Sequence, residues 1–297
     1  MQCVKFLPLC FIDYNGKICY TISMGHKNNF KLGLVSLILI LIVGIMFSSC
    51  KKGETSKGKK VNLVVFAAAS LTEGFNEIKT LYEKENQNVN IVYNFDSSGT
   101  LRTQILNGAD VDVFVSAGQK QMDDIDKSKS QNDYILDGSR IDYLENKVVL
   151  SVPDDNRKNI TSFDDLISKL NRGEILLSIG NTDVPVGGYT KKIMDYYKVD
   201  IPTLERNASI SYASNVKEVT TQVKEGIVDA GIIYETDAKS ANLKIVDSAT
   251  KEMCGQVIYP LCILKNSKNI TEAEKFVEYL RSSVSKDILA KIGFTVI

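Results

Sequence analysis

Val61-Asn62-Leu63-Val64-Val65-Phe66-Ala67-Ala68-Ala69-Ser70-Leu71 begins as a β-branched apolar run, shrinks to three alanines and then reaches a serine. Leu71, Phe75, Ile78, Leu81 and Tyr82 follow at helical spacing, so the stretch reads as buried strand, tight turn and helix, with Ser70 as the helix N-cap. Small side chains at such a turn leave the first N–H groups of the helix reachable, and a helix start with open N–H groups favours an anion. On these residues alone, Ser70 as a plain cap stands beside Ser70 as a ligand, because serine is a common cap.

The unit recurs downstream. Val89 to Phe95 reads as a strand running into Asp96-Ser97-Ser98-Gly99-Thr100, and Leu101 through Leu106 as a helix stopped by Asn107-Gly108. Val111 to Ala117 and Gln119 to Asp126 form a third strand and helix. Further strands are expected at Lys147 to Val152, Ile175 to Ile179, Ile210 to Ala213, Asp229 to Tyr234 and Val257 to Leu264, with helices at Thr190 to Tyr197 and Val216 to Glu225. Gly180 to Tyr189 reads as a loop whose glycines permit close backbone approach to a ligand. Thr271-Glu272-Ala273-Glu274 has capping-box spacing ahead of two closing helices. This alternation predicts an α/β protein with mainly parallel sheets flanked by helices. Ligands of such sheets bind outside the carboxyl ends of the strands. Those ends carry Ser70, Ser98, Val186, the Asn215-Val216 helix start and Tyr234, a set of hydroxyl and N–H donors without a cation.

With 297 residues, 44% hydrophobic, 24% charged and no net charge, the chain is long enough for one large domain or two of common size. Residues 1–60 hold nine lysines against Asp13 and Glu54, which leaves 27 basic and 34 acidic residues in the remainder. That acidic balance argues against a nucleic-acid partner and requires any anion site to work through local dipoles. Cys3, Cys10, Cys19, Cys50, Cys254 and Cys262 show no metal-type spacing, and no metal is expected to be bound directly by side chains. Nothing in the spacing of Cys254 and Cys262 requires a disulfide.

Lys27 and Lys31 precede Leu32 to Phe47, an uncharged run that falls short of the roughly 20 residues a spanning helix needs. Basic flank, apolar core and small residues in that order form the layout of a secretory signal. Phe47-Ser48-Ser49-Cys50 resembles a lipoprotein processing box, with Phe where Leu is commonest. Residues 1–23 do not fit the start of a signal, and Met24 does. The expected organisation is a leader over 1–49, a lipidated Cys50 and a polar tether to residue 60. This implies an extracytoplasmic protein anchored to the membrane by lipid.

A serine nucleophile at Ser70 or Ser98 needs a base, usually histidine. The single histidine, His26, lies in the segment expected to be removed, so a Ser-His triad and histidine-built zinc sites are excluded. No catalytic residue is assigned. A small α/β hydrolase remains a remote alternative. An oxyanion receptor needs less: a fully deprotonated tetrahedral anion offers only acceptors, while a protonated one requires an acceptor in return. Charge-assisted hydrogen bonds contribute roughly 1.5–3 kcal/mol each. A handful, less immobilisation, exceeds the roughly 8 kcal/mol of micromolar binding.

Phe66-Ala67-Ala68-Ala69-Ser70-Leu71-Thr72, Phe95-Asp96-Ser97-Ser98-Gly99-Thr100-Leu101, Ala109-Asp110-Val111-Asp112-Val113-Phe114-Val115-Ser116-Ala117, Val184-Pro185-Val186-Gly187 and Gly231-Ile232-Ile233-Tyr234-Glu235-Thr236-Asp237 together resemble the substrate-binding proteins of molybdate ABC importers. The resemblance runs from about Val61 to Phe294. It implies a two-lobed, type II periplasmic-binding-protein fold that closes on its ligand by a hinge motion. It also implies a molybdate or tungstate ligand, an ABC permease with its ATPase as partners, and a monomer without a cofactor. Carried over, the ligand-binding residues are Ser70, Ser98, Val186, Val216 and Tyr234, with Ser97 less suited than Ser98. An inward Asp183 or Glu235 would instead signal carboxylate ligation. A sulfate receptor is the alternative within the class. Crossings between lobes are expected near Tyr143 to Val148 and Val257 to Lys265, so that 61–145 plus 265–297 form one lobe and 146–264 the other.

Overall fold

Residues 11–13, 16–18 and 60–297 are described by the structure, a computed structural model. The leader's Leu32 to Phe47 run, His26, Cys50 and the tether through Lys59 lie outside the described residues. The chain divides into two compact units, 1–56 and 57–297. In the first, β1 (Phe11–Asp13) pairs antiparallel with β2 (Gly16–Ile18).

The second unit starts with β3 (Val61–Ala68), a 3-10 turn over Ala69–Leu71 and α1 (Thr72–Glu85). Leu63, Val65 and Ala67 of β3 enter one core cluster and Phe66 the other, as a strand covered on both faces requires. Phe75, Ile78 and Tyr82 bury one stripe of α1, and the Tyr82 ring meets Phe276 edge-on at 5.1 Å. Burying side chains of this size contributes about 1.5–3 kcal/mol each. Next come β4 (Val89–Asp96), α2 (Ser98–Leu106), β5 (Val113–Val115), α3 (Gln119–Asp123) and β6 (Ile141–Asn146).

One residue, Lys147, separates β6 from β7 (Val148–Val152), which lies in the other sheet. The chain continues through α4 (Phe163–Asn171), β8 (Leu177–Gly180), α5 (Pro185–Tyr196), α6 (Ile201–Arg206), β9 (Ile210–Ala213) and α7 (Val216–Lys224). It returns through β10 (Ala230–Tyr234), α8 (Glu235–Ser240), β11 (Lys244–Ser248) and α9 (Lys251–Cys254) to β12 (Val257–Ile263). It closes with α10 (Ile270–Leu280), α11 (Ser283–Ile292) and β13 (Thr295–Val296).

Two sheets result, in the orders β13-β6-β12-β5-β3-β4 and β11-β7-β10-β8-β9. Strands joined through helices on one sheet run parallel: β3 with β4 and β5, and β8 with β9 and β10. Strands next to the crossings pair antiparallel, namely β12 with β5 and β6, and β7 with β10 and β11. Each sheet with its helices makes one lobe of an α/β type II binding-protein fold.

The second crossing departs from expectation. It passes through 249–256, ahead of the expected 257–265, because Val257–Ile263 pairs with β5 and β6 and so belongs to the first lobe. Strand β11 is not among the strands expected from periodicity. The capping box expected at Thr271 to Glu274 does not form: α10 begins at Ile270 after Asn269, whose side chain makes no cap bond, and Thr271 lies inside the first turn. Cys254 and Cys262 are buried free thiols. Among the described residues no helix is long and apolar enough to cross a membrane.

Candidate functional site

The carboxyl ends of the parallel strands of both sheets meet at a small cavity of about 10 Å³. Ala68, Ala69, Ser70, Asp96, Ser97, Ser98 and Ala117 line it from the first lobe, and Val184, Pro185, Val216 and Tyr234 from the second. That volume is about the room one water needs. None of the lining residues is basic.

Ser70 does not cap α1. It sits within the 3-10 turn, the residue before α1 is Leu71, and no side chain caps that helix. Its Oγ lies 2.9 Å from the Tyr259 hydroxyl. The cap of α2 is Ser97, whose Oγ accepts the Thr100 N–H at 3.1 Å. Ser98 is thereby spared capping. Its Oγ accepts the Ala117 N–H at 2.9 Å, which leaves its one proton available to donate into the cavity it lines.

From the second lobe, helices α5 and α7 point their starts at the cavity through Val184, Pro185 and Val216. The first N–H groups of a helix lack intrahelical partners. Val216 is the first residue of α7, and Val186, fully buried behind Pro185, is the second of α5. Val186 itself is not among the residues lining the cavity.

The glycine-bearing loop expected over Gly180 to Tyr189 is helix from Pro185 onward, and its glycine serves packing within the lobe. A Cβ on Gly187 would stand 2.1 Å from the Asn181 carbonyl oxygen and 2.4 Å from that of Gly180. Tyr234 ends β10, is buried, and donates a long 3.4 Å contact to the Ala117 carbonyl. Burial holds its hydroxyl well above the ordinary tyrosine range, so it remains a proton donor.

Neither carboxylate considered for direct ligation lines the cavity. The Asp183 side chain is exposed, and Glu235 pairs with Lys239 at 2.7 Å. Asp183 acts through its backbone instead. Its carbonyl lies against Gly99 of the first lobe, where a Cβ would approach it to 2.1 Å, and it receives Gln121 Nε2 at 3.4 Å.

Three features are not foreseen from the sequence. Asp96 lines the cavity, with Oδ1 accepting the Ser97 N–H at 2.6 Å. Tyr259 and Asn146 stand behind Ser70, with Asn146 Nδ2 donating to the Tyr259 hydroxyl at 3.2 Å. Lys217, next to Val216, joins the lobes: its Nζ lies 2.8 Å from both carboxylate oxygens of Glu73 on α1 and 3.1 Å from Asp237 Oδ1 on α8. The Asp237 contact is an ion pair lying off the line of a hydrogen bond, for neither carboxylate oxygen has a hydrogen-bond partner. Burial pushes the Asp237 carboxyl up to about 6 against the pull of Lys217. Burial also works against the charge on Lys217, but Asp237 and Glu73 hold its ammonium above the usual range.

A model of the family described as bacterial extracellular solute-binding protein matches residues 63–295. YvgL of Bacillus subtilis, provisionally named an ABC transporter substrate-binding lipoprotein, is 33% identical over 266 residues, covering 87% of this chain and 96% of its own length. The molybdate-binding protein ModA of Mycobacterium tuberculosis is 30% identical over 266 residues, covering 88% and 96%. A solved Clostridium difficile structure, described provisionally as the substrate-binding domain of a molybdenum ABC transporter, superposes with a TM-score of 0.59. It is 29% identical, and the match covers 80% of this chain and 99% of that one. Matched across both lobes and both crossings, this chain belongs to the bacterial extracellular solute-binding proteins.

Proposed function

We propose that the chain is the receptor of an ABC importer that captures molybdate or tungstate outside the cytoplasm and delivers it to a permease driven by an ATPase. In this reading Cys50 carries the lipid that anchors the protein, which acts as a monomer without a cofactor, and no step is catalytic. The name of YvgL supports the anchor, and that of ModA supports the ligand.

The observation that carries the ligand assignment is the convergence of neutral donors on one small cavity. Ser70, Ser98 and Tyr234 line it with hydroxyls, and the starts of α5 and α7 point at it, with Val216 in its wall and Val186 one residue behind the lining Pro185. Such a cage suits a small ion made only of acceptors, and helix starts add their dipoles. Ser70→Ala and Ser98→Ala are each expected to weaken molybdate binding by roughly 1–3 kcal/mol, read by titration calorimetry. Unchanged affinity in both variants would remove these serines from the site.

Asp96 favours a second reading. A carboxylate lining the cavity can accept a proton from a protonated oxyanion such as hydrogen phosphate, a contact that molybdate cannot make. Its Oδ1 already accepts the Ser97 N–H, which fits a role in holding the turn and leaves molybdate the better match. Sulfate, also fully deprotonated, separates from molybdate only by size.

A further inference from the structure

Behind Ser70 a buried chain of polar groups leads back to the strand where the protein crosses between lobes. Asn146 ends β6 at that crossing. Its Oδ1 accepts the Lys147 N–H at 2.8 Å, which fixes the orientation of the amide. Nδ2 therefore faces the other way, with the Thr236 hydroxyl at 3.0 Å and the Tyr259 hydroxyl at 3.2 Å, and these take both of its protons. Tyr259 accepts from Asn146, so its own proton is free for Ser70 Oγ at 2.9 Å. With Tyr259 as the donor of that pair, Ser70 accepts and its single hydrogen is left for the cavity.

Resting on the oxyanion reading, we propose that Tyr259 and Asn146 are positioning residues that hold Ser70 as an obligate proton donor to the ligand. Ser98 reaches the same state through a backbone N–H, from Ala117. Ser70 reaches it through side chains, and only there can a substitution turn the donor round. A site with both serines fixed this way discriminates for an ion with no proton of its own. Tyr259 is fully buried and does not line the cavity, so it acts through Ser70 and not by contact with the ligand.

The test is a double-mutant cycle on the protein, with sodium molybdate as probe. Tyr259→Phe is expected to weaken binding about tenfold when Ser70 is present, the size of one charge-assisted hydrogen bond. In a Ser70→Ala background the same change is expected to weaken it less than about twofold, because its target is gone. A merely structural role would lower the melting temperature and weaken binding equally in both backgrounds, and that result overturns the proposal. Asn146→Asp supplies a second cycle if the phenylalanine variant does not fold. An aspartate there accepts the Tyr259 proton, which turns the Ser70 hydrogen toward Tyr259, and the expected excess loss in the Ser70 background is again about tenfold. Equal losses in both backgrounds sink the positioning role alone. A wild type that binds no oxyanion sinks the functional reading and this inference with it.

Discussion

Gly99→Val is expected to weaken oxyanion binding by about a hundredfold or more while leaving the ligand-free protein as stable as the parent. Gly99 lies in the first turn of α2, a position where a side chain is no burden to the helix itself. A Cβ there would stand 2.1 Å from the Asp183 carbonyl oxygen and 2.9 Å from its carbonyl carbon, atoms of backbone on the opposite lobe. Backbone cannot swing aside as a flexible side chain can, so the clash is relieved by parting the lobes. In the proposed site, parting them by about 1 Å stretches the ligand bonds assigned to α5, α7 and Tyr234 together. Each is a charge-assisted bond of roughly 1.5–3 kcal/mol, so losing two gives more than a hundredfold. Calorimetry and thermal melts with and without molybdate check both halves. An unchanged affinity would show that closure does not need this contact.

The second large effect is on stability. Lys217→Met is expected to destabilise the protein by about 3–5 kcal/mol at pH 8, since it strands a buried carboxylate without its counter-charge. The partner at risk is Asp237, fully buried and, among the described residues, without another cation in contact. Glu73, half-exposed, adds little to that loss. The pH dependence follows from the direction of the Asp237 shift. Its folded value lies near 6, above the unfolded carboxylate range, so the stability from protonating it is fully present below the unfolded value and lost as pH rises through about 6. The variant holds its proton to still higher pH. The gap between parent and variant is therefore largest at pH 8 and shrinks on acidification below 6. Urea titrations at pH 5 and pH 8 measure it. A gap that is the same at both values, or wider at pH 5, contradicts this account of the pair.

The opening stretch shows how far the sequence carries. The run from Val61 to Ala68 is a strand, and a helix follows, because alternation and helical spacing are local signals. The turn between them is not legible. A serine between strand and helix looks the same whether it caps the helix or, as here, bonds a tyrosine 189 residues away. Val257 to Leu264 shows its strand but not its sheet, since membership depends on pairing with Val113–Val115 and Ile141–Asn146. The start of α5 is within reach: Pro185 marks a first helical position, yet the glycines after it carry the composition of a loop. Ser70, Ser98, Val216 and Tyr234 meet at the cavity because strand ends of such sheets converge. Asp96 and Tyr259 carry no local signal of their roles, and Lys217 beside Val216 shows its purpose only once Glu73 and Asp237 are brought to it.

Titration calorimetry of residues 54–297 against molybdate, tungstate, sulfate and phosphate tests the central claim most directly. The account predicts micromolar or tighter binding of molybdate or tungstate, with sulfate weaker and phosphate weakest at neutral pH, where every phosphate ion carries at least one proton. Sulfate or phosphate bound more tightly than molybdate would contradict it.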